Sequence, residues 1–309
     1  MRIVVALGGN ALAKRGEPMT AEKLRENIHS SAEALADLAR EHELVITHGN
    51  GPQVGLIALQ NLAYEDVPPY PLDILGAQSQ GMIAYPLQQE LKNTLRGAKD
   101  VVTIITTTEV NADDPDFDNP SKFVGPMYTK EEAEENASHY GWTIKADGDG
   151  FRRVVPSPVP TAIVEALIIK DLVESNRVVI CVGGGGVPIT VGDGQEKGIE
   201  AVVDKDLASA VLAEELDADV LLILTDADYV VEGWGSVDAK NIRAASPEAL
   251  EDMAFAAGSM GPKIDAAMMV ARAGGRTLIG PLSRVKDVVA GKVGTEIREE
   301  VPGGIEYAD

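Results

Sequence analysis

Three lysines stand where a cation is either a cost or a tool. Lys205 lies in AVVDKDLASAV, where Asp204 suits the N-cap of a helix and Lys205 and Asp206 fall in its first turn. Lys263 lies in GSMGPKIDAAM, where Pro262 suits the first helical position and Lys263 comes next. A lysine in the first turn opposes the helix dipole, at a cost of roughly a few tenths of a kcal/mol unless an anion sits nearby. Two such placements in an acid-rich chain either serve a bound anion or are solvated surface lysines. Lys122, in DNPSKFVGP, is held between Pro120 and Pro126. It either reaches inward from a stiff loop or stays solvated at the surface. Asp206, next to Lys205, can accept hydrogen bonds from ammonium groups and hold them in place.

Glycine clusters fall where strands end and helices begin. ALGGN carries Gly8, Gly9 and Asn10; THGNGPQVG carries Gly49, Asn50 and Gly51; CVGGGGVPI carries Gly183, Gly184 and Gly185. Without a Cβ, such loops let backbone N–H groups approach an anion closely. The strings G-x-x-x-x-G-K-[ST] and G-x-G-x-x-G are absent, which argues against a Walker-type nucleotide binder and a dinucleotide-binding dehydrogenase. Four histidines and one cysteine show no zinc-ligand spacing. Cys181 falls in an expected buried strand and reads as an inert hydrophobe. His48 reads as a hydrogen-bonded loop residue or a contact to substrate, and Asp226 and Asp228 in LTDADYV either line a nucleotide or cap a turn. Glycine loops, helix N-termini and lysines, with no nucleophile or metal cage, suit phosphoryl transfer. That reaction needs positioning and spread positive charge more than covalent help.

The elements that must position these residues are legible as short apolar runs alternating with helical patterns. Strands are expected at 3–7, 44–47, 101–107, 178–182, 220–225 and 277–279. Helices are expected at about 20–40, 72–96, 160–175, 205–216 and 262–273. Continuously apolar strands are covered on both faces, so the pattern specifies a mostly parallel α/β sheet with helices on each side. Ligands of such sheets sit beyond the carboxyl ends of the strands. The segment 113–160 breaks the rhythm with six prolines and an aromatic group that includes Phe117, Phe123, Tyr128, Tyr140, Trp142 and Phe151. It reads as a small subdomain inserted in a single domain spanning 1–309. The net charge of −22 argues against nucleic-acid and anionic-membrane partners and suggests a surface that gains stability from salt. No apolar run is long enough to span a bilayer, and the N-terminal apolar stretch is too short for a secretory leader, so a cytoplasmic protein is expected.

Taken together and in order, VALGGNAL, THGNGPQVG, NPSKFVGP, RRVVPSP, VGGGGVPI, VVDKDLAS, LTDADYV and GSMGPKI resemble the carbamate kinases of the amino acid kinase family, over nearly the whole chain. The resemblance implies reversible phosphoryl transfer between ATP and carbamate, giving ADP and carbamoyl phosphate, mostly run toward ATP in arginine or related fermentation. It also implies a three-layer αβα sandwich around a largely parallel sheet of about eight strands, a homodimer, and Mg²⁺ carried in with the nucleotide. The N-terminal part would hold carbamoyl phosphate, the part from about 178 to 309 the nucleotide, and the insertion would close over the site. On the same ground Lys205 is matched to the transferring phosphoryl group, Asp206 to organising the lysines, Lys263 to the nucleotide phosphates and Lys122 to the reach from the insertion. Gly8, Gly9, Asn10, Gly49, Asn50 and Gly51 would surround the small substrate. Gly183, Gly184, Gly185, Asp226, Tyr229 and Met260 would face the nucleotide. Phe123 and Val124 replace the family's frequent Pro–Ile, and Asp149 stands where many members have arginine. Another kinase of the family, acting on a different carboxylate or phosphate, and a non-catalytic regulator on this scaffold are the competing readings.

Overall fold

The computed structural model describes residues 1–14, 16–256 and 259–308, with Asn10 described through its backbone only. The strand Arg2–Leu7 is the middle of the molecule. It pairs in parallel with Glu43–His48 on one side and Val220–Thr225 on the other, with Leu7 opposite both His48 and Leu224. Beyond Glu43–His48 come Val178–Ile180 and then Val101–Thr103, both parallel. Beyond Val220–Thr225 come Arg276–Pro281, Thr295–Arg298, Lys240–Ala245 and Val230–Glu232. Among the described residues this sheet has ten strands, where the resemblance implies about eight; three-residue strands at Val230–Glu232 and Ile305–Tyr307 add antiparallel pairs to Lys240–Ala245.

Side chains alternate across a strand, and Arg2–Leu7 distributes its apolar residues accordingly. Val4 and Ala6 face one apolar cluster, shared with the helices Ala166–Glu174, Lys205–Glu215 and Gly261–Arg272. Ile3, Val5 and Leu7 face the other, shared with Ala21–Glu41 and Leu72–Leu95. The result is the expected three-layer α/β sandwich. In Ala21–Glu41, Ile28, Leu35 and Leu38 are buried on one stripe, and the Thr20 side chain accepts the Lys23 N–H as the cap, an interaction of about 1 kcal/mol.

Three sequence expectations differ from the fold for identifiable reasons. The run 101–107 breaks into Val101–Thr103 and Thr107–Val110. At the break, the Gln80 side-chain amide donates to Thr106 C=O at 3.0 Å and its oxygen accepts the Thr106 N–H at 2.9 Å, replacing a strand neighbour. The expected helix 160–175 begins only at Ala166, because Pro160–Ile163 forms an edge strand, where a proline without N–H is tolerated. The helix Gly51–Leu62 is hidden in the sequence by Gly51 and Gly55, although Pro52 sits in its first turn.

Lys122–Tyr128, Gly150–Val155 and Thr143–Asp147 form a separate antiparallel sheet, with the helix Lys130–Tyr140 between its strands. Thr129 and Glu132 close that helix with a reciprocal capping box. Val155 carries the inserted sheet onto the helices Gly51–Leu62 and Leu72–Leu95 through a third, small apolar cluster with Val54, Ile57, Leu72 and Leu75. A further four-stranded sheet, Gln195–Gly198, Val187–Gly192, Thr107–Val110 and Pro160–Ile163, leads the chain into the Lys205 helix.

Candidate active site

The parallel strands end together, so their following loops share one end of the sheet. Gly8 donates its N–H to Leu224 C=O at 3.1 Å, and a Cβ on Gly8 would meet that oxygen at 2.9 Å. A Cβ on Gly49 would lie 3.5 Å from Lys205 Cδ and 3.6 Å from Gly9 N. Two glycine loops and a lysine stem therefore converge within van der Waals reach. Asn50 donates to Ser79 Oγ at 2.7 Å and lies against Gly184, whose φ of +66° and crowded Cα admit no side chain. Gly51 is the first residue of the helix Gly51–Leu62. The Asn10 side chain lies outside the described residues, while its backbone forms part of a short turn, Gly9–Ala11.

Lys205 opens its helix, and the Asp204 carboxylate caps it by accepting the Asp206 N–H at 2.9 Å. The helix is tied to the sheet: Ser209 donates to Lys205 C=O at 2.5 Å and is hydrogen-bonded to Thr47 Oγ1 at 2.6 Å. Lys263 comes from the first turn of the neighbouring helix Gly261–Arg272. The two ammonium groups meet on one carboxylate. Lys205 Nζ donates to Asp206 Oδ1, and Lys263 Nζ donates to Asp206 Oδ2 at 2.9 Å. The Asp206 side chain is 4% exposed, against 11% for Lys205 and 14% for Lys263.

Two cations on one carboxylate leave a net positive charge at a nearly dry position. Burial, the strongest single influence on Asp206, opposes its ionisation, yet the two ammonium groups outweigh it and hold the carboxyl below its usual range. Burial pushes the Lys205 ammonium below its ordinary value, and the like charge of Lys263 adds to this, against the pull of Asp206. His48 is buried, its Nδ1 lies 3.0 Å from Gly49 C=O, and its pKa is pushed down to about 4 by burial, with the Lys205 charge adding to the shift. It is neutral at pH 7, and since a carbonyl only accepts, Nδ1 carries the proton. Cys181, just beyond Val178–Ile180, is buried, and burial raises its thiol pKa, so it is no nucleophile.

Lys122, the first residue of the inserted sheet, donates to Asp204 Oδ2 at 2.9 Å. Lys122, Lys205, Asp206 and Lys263 thus gather at the start of one helix. The remaining residues divide between two sides of Arg2–Leu7. Asp226 follows Val220–Thr225 and accepts from Thr225 Oγ1 at 3.1 Å. Tyr229 is half-buried against the Leu7 face of the core, and Met260 precedes the Lys263 helix. Gly183, Gly184 and Gly185, expected at the nucleotide, lie on the opposite side of Arg2–Leu7 from Asp226. They follow Val178–Ile180 on the far side of Glu43–His48, packed against His48, Asn50 and Val203. A glycine run does not reveal the place of its strand in the sheet. Sequence reasoning recognised Asp204 as a cap and missed it as the partner of Lys122. The alternation of acid and base in Asp204-Lys205-Asp206 was the available signal. Among the described residues, no group of three or more His, Cys, Asp or Glu is placed to hold a metal ion.

The chain belongs to the amino acid kinase family, whose model matches residues 1–279. Within that family, curated relatives similar to it are carbamate kinases. One from Haemophilus influenzae is 52% identical over 310 residues, covering 100% of both chains. Another, from Escherichia coli (strain K12), is 53% identical over 294 residues, 95% of this chain and 98% of the relative. A solved carbamate kinase from Giardia lamblia bound to AMP-PNP superposes with a TM-score of 0.90 at 39% identity, over 97% of this chain and 98% of that one. A UMP kinase from Bacillus anthracis, 16% identical with a TM-score of 0.55, shares the fold alone.

Proposed function

We propose that this protein is an ATP-dependent phosphotransferase that interconverts ATP and carbamate with ADP and carbamoyl phosphate. The observation that carries the reading is the Asp206 carboxylate holding two lysines from two helices in front of the glycine loops. An oxygen of carbamate attacks the γ-phosphorus while the bond to the β-phosphate oxygen breaks, and ADP leaves with that electron pair. The attacking oxygen is already anionic, so no side chain has to take its proton. Negative charge spreads over the three equatorial oxygens, where Lys205 and Lys263 meet it at positions fixed in advance. Asp206 keeps the two ammonium groups apart and aimed together. Gly8, Gly9, Gly49 and Gly51 offer backbone to the small substrate, joined by Gly183, Gly184 and Gly185. Asp226, Tyr229 and Met260 face the nucleotide, which brings Mg²⁺ with it as part of that substrate. Lys122 reaches the phosphoryl group from the inserted sheet.

The resemblance of the motifs to carbamate kinases also supports a cytoplasmic homodimer working toward ATP in fermentation. Sedimentation velocity tests the dimer. For the reaction, ATP formation from ADP and carbamoyl phosphate, coupled to hexokinase, is the direct assay. Turnover with carbamoyl phosphate and little with acetyl phosphate is expected. Turnover only with another acyl phosphate or a nucleotide substrate, or nucleotide binding with no turnover, overturns the reading.

A further inference from the structure

Asp204 faces two ways. Its Oδ1 accepts the backbone N–H of Asp206, and its Oδ2 accepts Lys122 Nζ, both at 2.9 Å. Lys122 is 41% exposed on a flexible stem, and a lysine in that situation samples many rotamers when nothing holds it. Asp204 itself does not wander, because its backbone is the helix cap and the preceding segment is anchored. Four residues earlier, Glu200 accepts Arg153 of the inserted sheet at 2.7 Å and the Leu72 N–H at 2.8 Å. Between them, Val202 N–H donates to Pro156 C=O at 3.0 Å. Residues 200–204 thus form a rail that fastens the inserted sheet and runs directly into Lys205.

We propose that Asp204 is a positioning residue: its carboxylate parks the Lys122 ammonium beside the Lys205–Asp206–Lys263 centre and so sets the resting place of the inserted sheet. This rests on the phosphoryl-transfer reading above. A dianionic phosphoryl group outcompetes a carboxylate for an ammonium group, so Lys122 passes from Asp204 to the substrate on arrival and back on release.

A double-mutant cycle tests it. Asp204→Asn keeps an oxygen able to cap Asp206, since asparagine caps as well as aspartate, and removes the charge that holds Lys122. Asp204→Asn and Lys122→Ala should each lower kcat about tenfold, leave the KM for ADP within about twofold, and combine with less than about twofold further loss. Multiplicative losses, a raised KM for ADP, or a large fall in the thermal midpoint of Asp204→Asn would assign Asp204 to the cap alone and overturn the proposal. Hydrogen exchange over residues 122–128 of the ligand-free protein needs no turnover. It should quicken equally in both single variants and the double. Unchanged exchange in Asp204→Asn sinks the proposal, whereas wild-type protein that makes no ATP from carbamoyl phosphate sinks only the functional reading.

Discussion

The Lys205–Asp206–Lys263 triad and the Lys122–Asp204 pair place cations in one neighbourhood by different means. The triad is almost dry, and both its lysines leave the first turns of helices packed into the same core cluster. Packing of those helices fixes its geometry. The pair joins a half-exposed lysine on a separate sheet to a capping residue of the body. Its geometry depends on a charge contact in reach of water, and such contacts are weak and screened by salt. On the function proposed above, the centre that meets the phosphoryl group is the buried one, and the arm that reaches it is the wet one.

The largest expected effect bears on the dry side. Lys205→Ala should lower turnover by about 10²–10³-fold, the loss typical of removing one prearranged donor to a transition state; steady-state rates near wild type would remove the triad from the chemistry. Asp206→Ala leaves two buried ammonium groups facing each other and should cost about 3–5 kcal/mol of stability, measured by urea unfolding at pH 7. An unchanged midpoint would mean that the lysines are not truly desolvated. Acid probes the same region through His48. The unfolded chain protonates this histidine at its ordinary 6.5, while the folded chain refuses the proton down to about 4. Its contribution is therefore complete above about 6.5 and is lost as pH falls toward 4, amounting to about 3 kcal/mol. Between pH 7 and 4.5, His48→Asn should lose less stability than wild type, and parallel curves would contradict a buried neutral ring. The smallest effect separates the two regions directly. Molar KCl should raise the thermal midpoint by a few degrees by screening the net charge of −22, while quickening hydrogen exchange over 122–128 as the Lys122–Asp204 contact is screened. Exchange that slows in step with the rising midpoint would make the inserted sheet as firmly held as the core.

The sequence made the centre of the sheet easy to see, because Ile3, Val5, Leu7 and their neighbours are buried on both faces and leave unbroken apolar runs. It made the charged cluster visible for a different reason: a lysine in a first turn is slightly costly, so its presence twice singles out Lys205 and Lys263. What stayed hidden depends on residues far apart in the chain. Gln80 ending a strand at Thr106, the edge position that admits Pro160, and the packing of Gly184 on Asn50 are all set by tertiary neighbours. The short antiparallel strands at one edge carry too few residues to register any periodicity. Lys122 was visible only as one of two options, and its partner settles where its nitrogen rests.

The central place of Arg2–Leu7 has a consequence for how the molecule is made. Arg2–Leu7 needs a neighbour, Val220–Thr225, that is synthesised more than 200 residues after it. At typical synthesis rates that delay is about 10–40 s. Throughout it, Ile3, Val4 and Val5 have a parallel neighbour on one flank at most, and the other flank remains an open edge. A nascent chain stalled before residue 220 thus carries an apolar strand with an unpaired edge, a template for pairing with another copy.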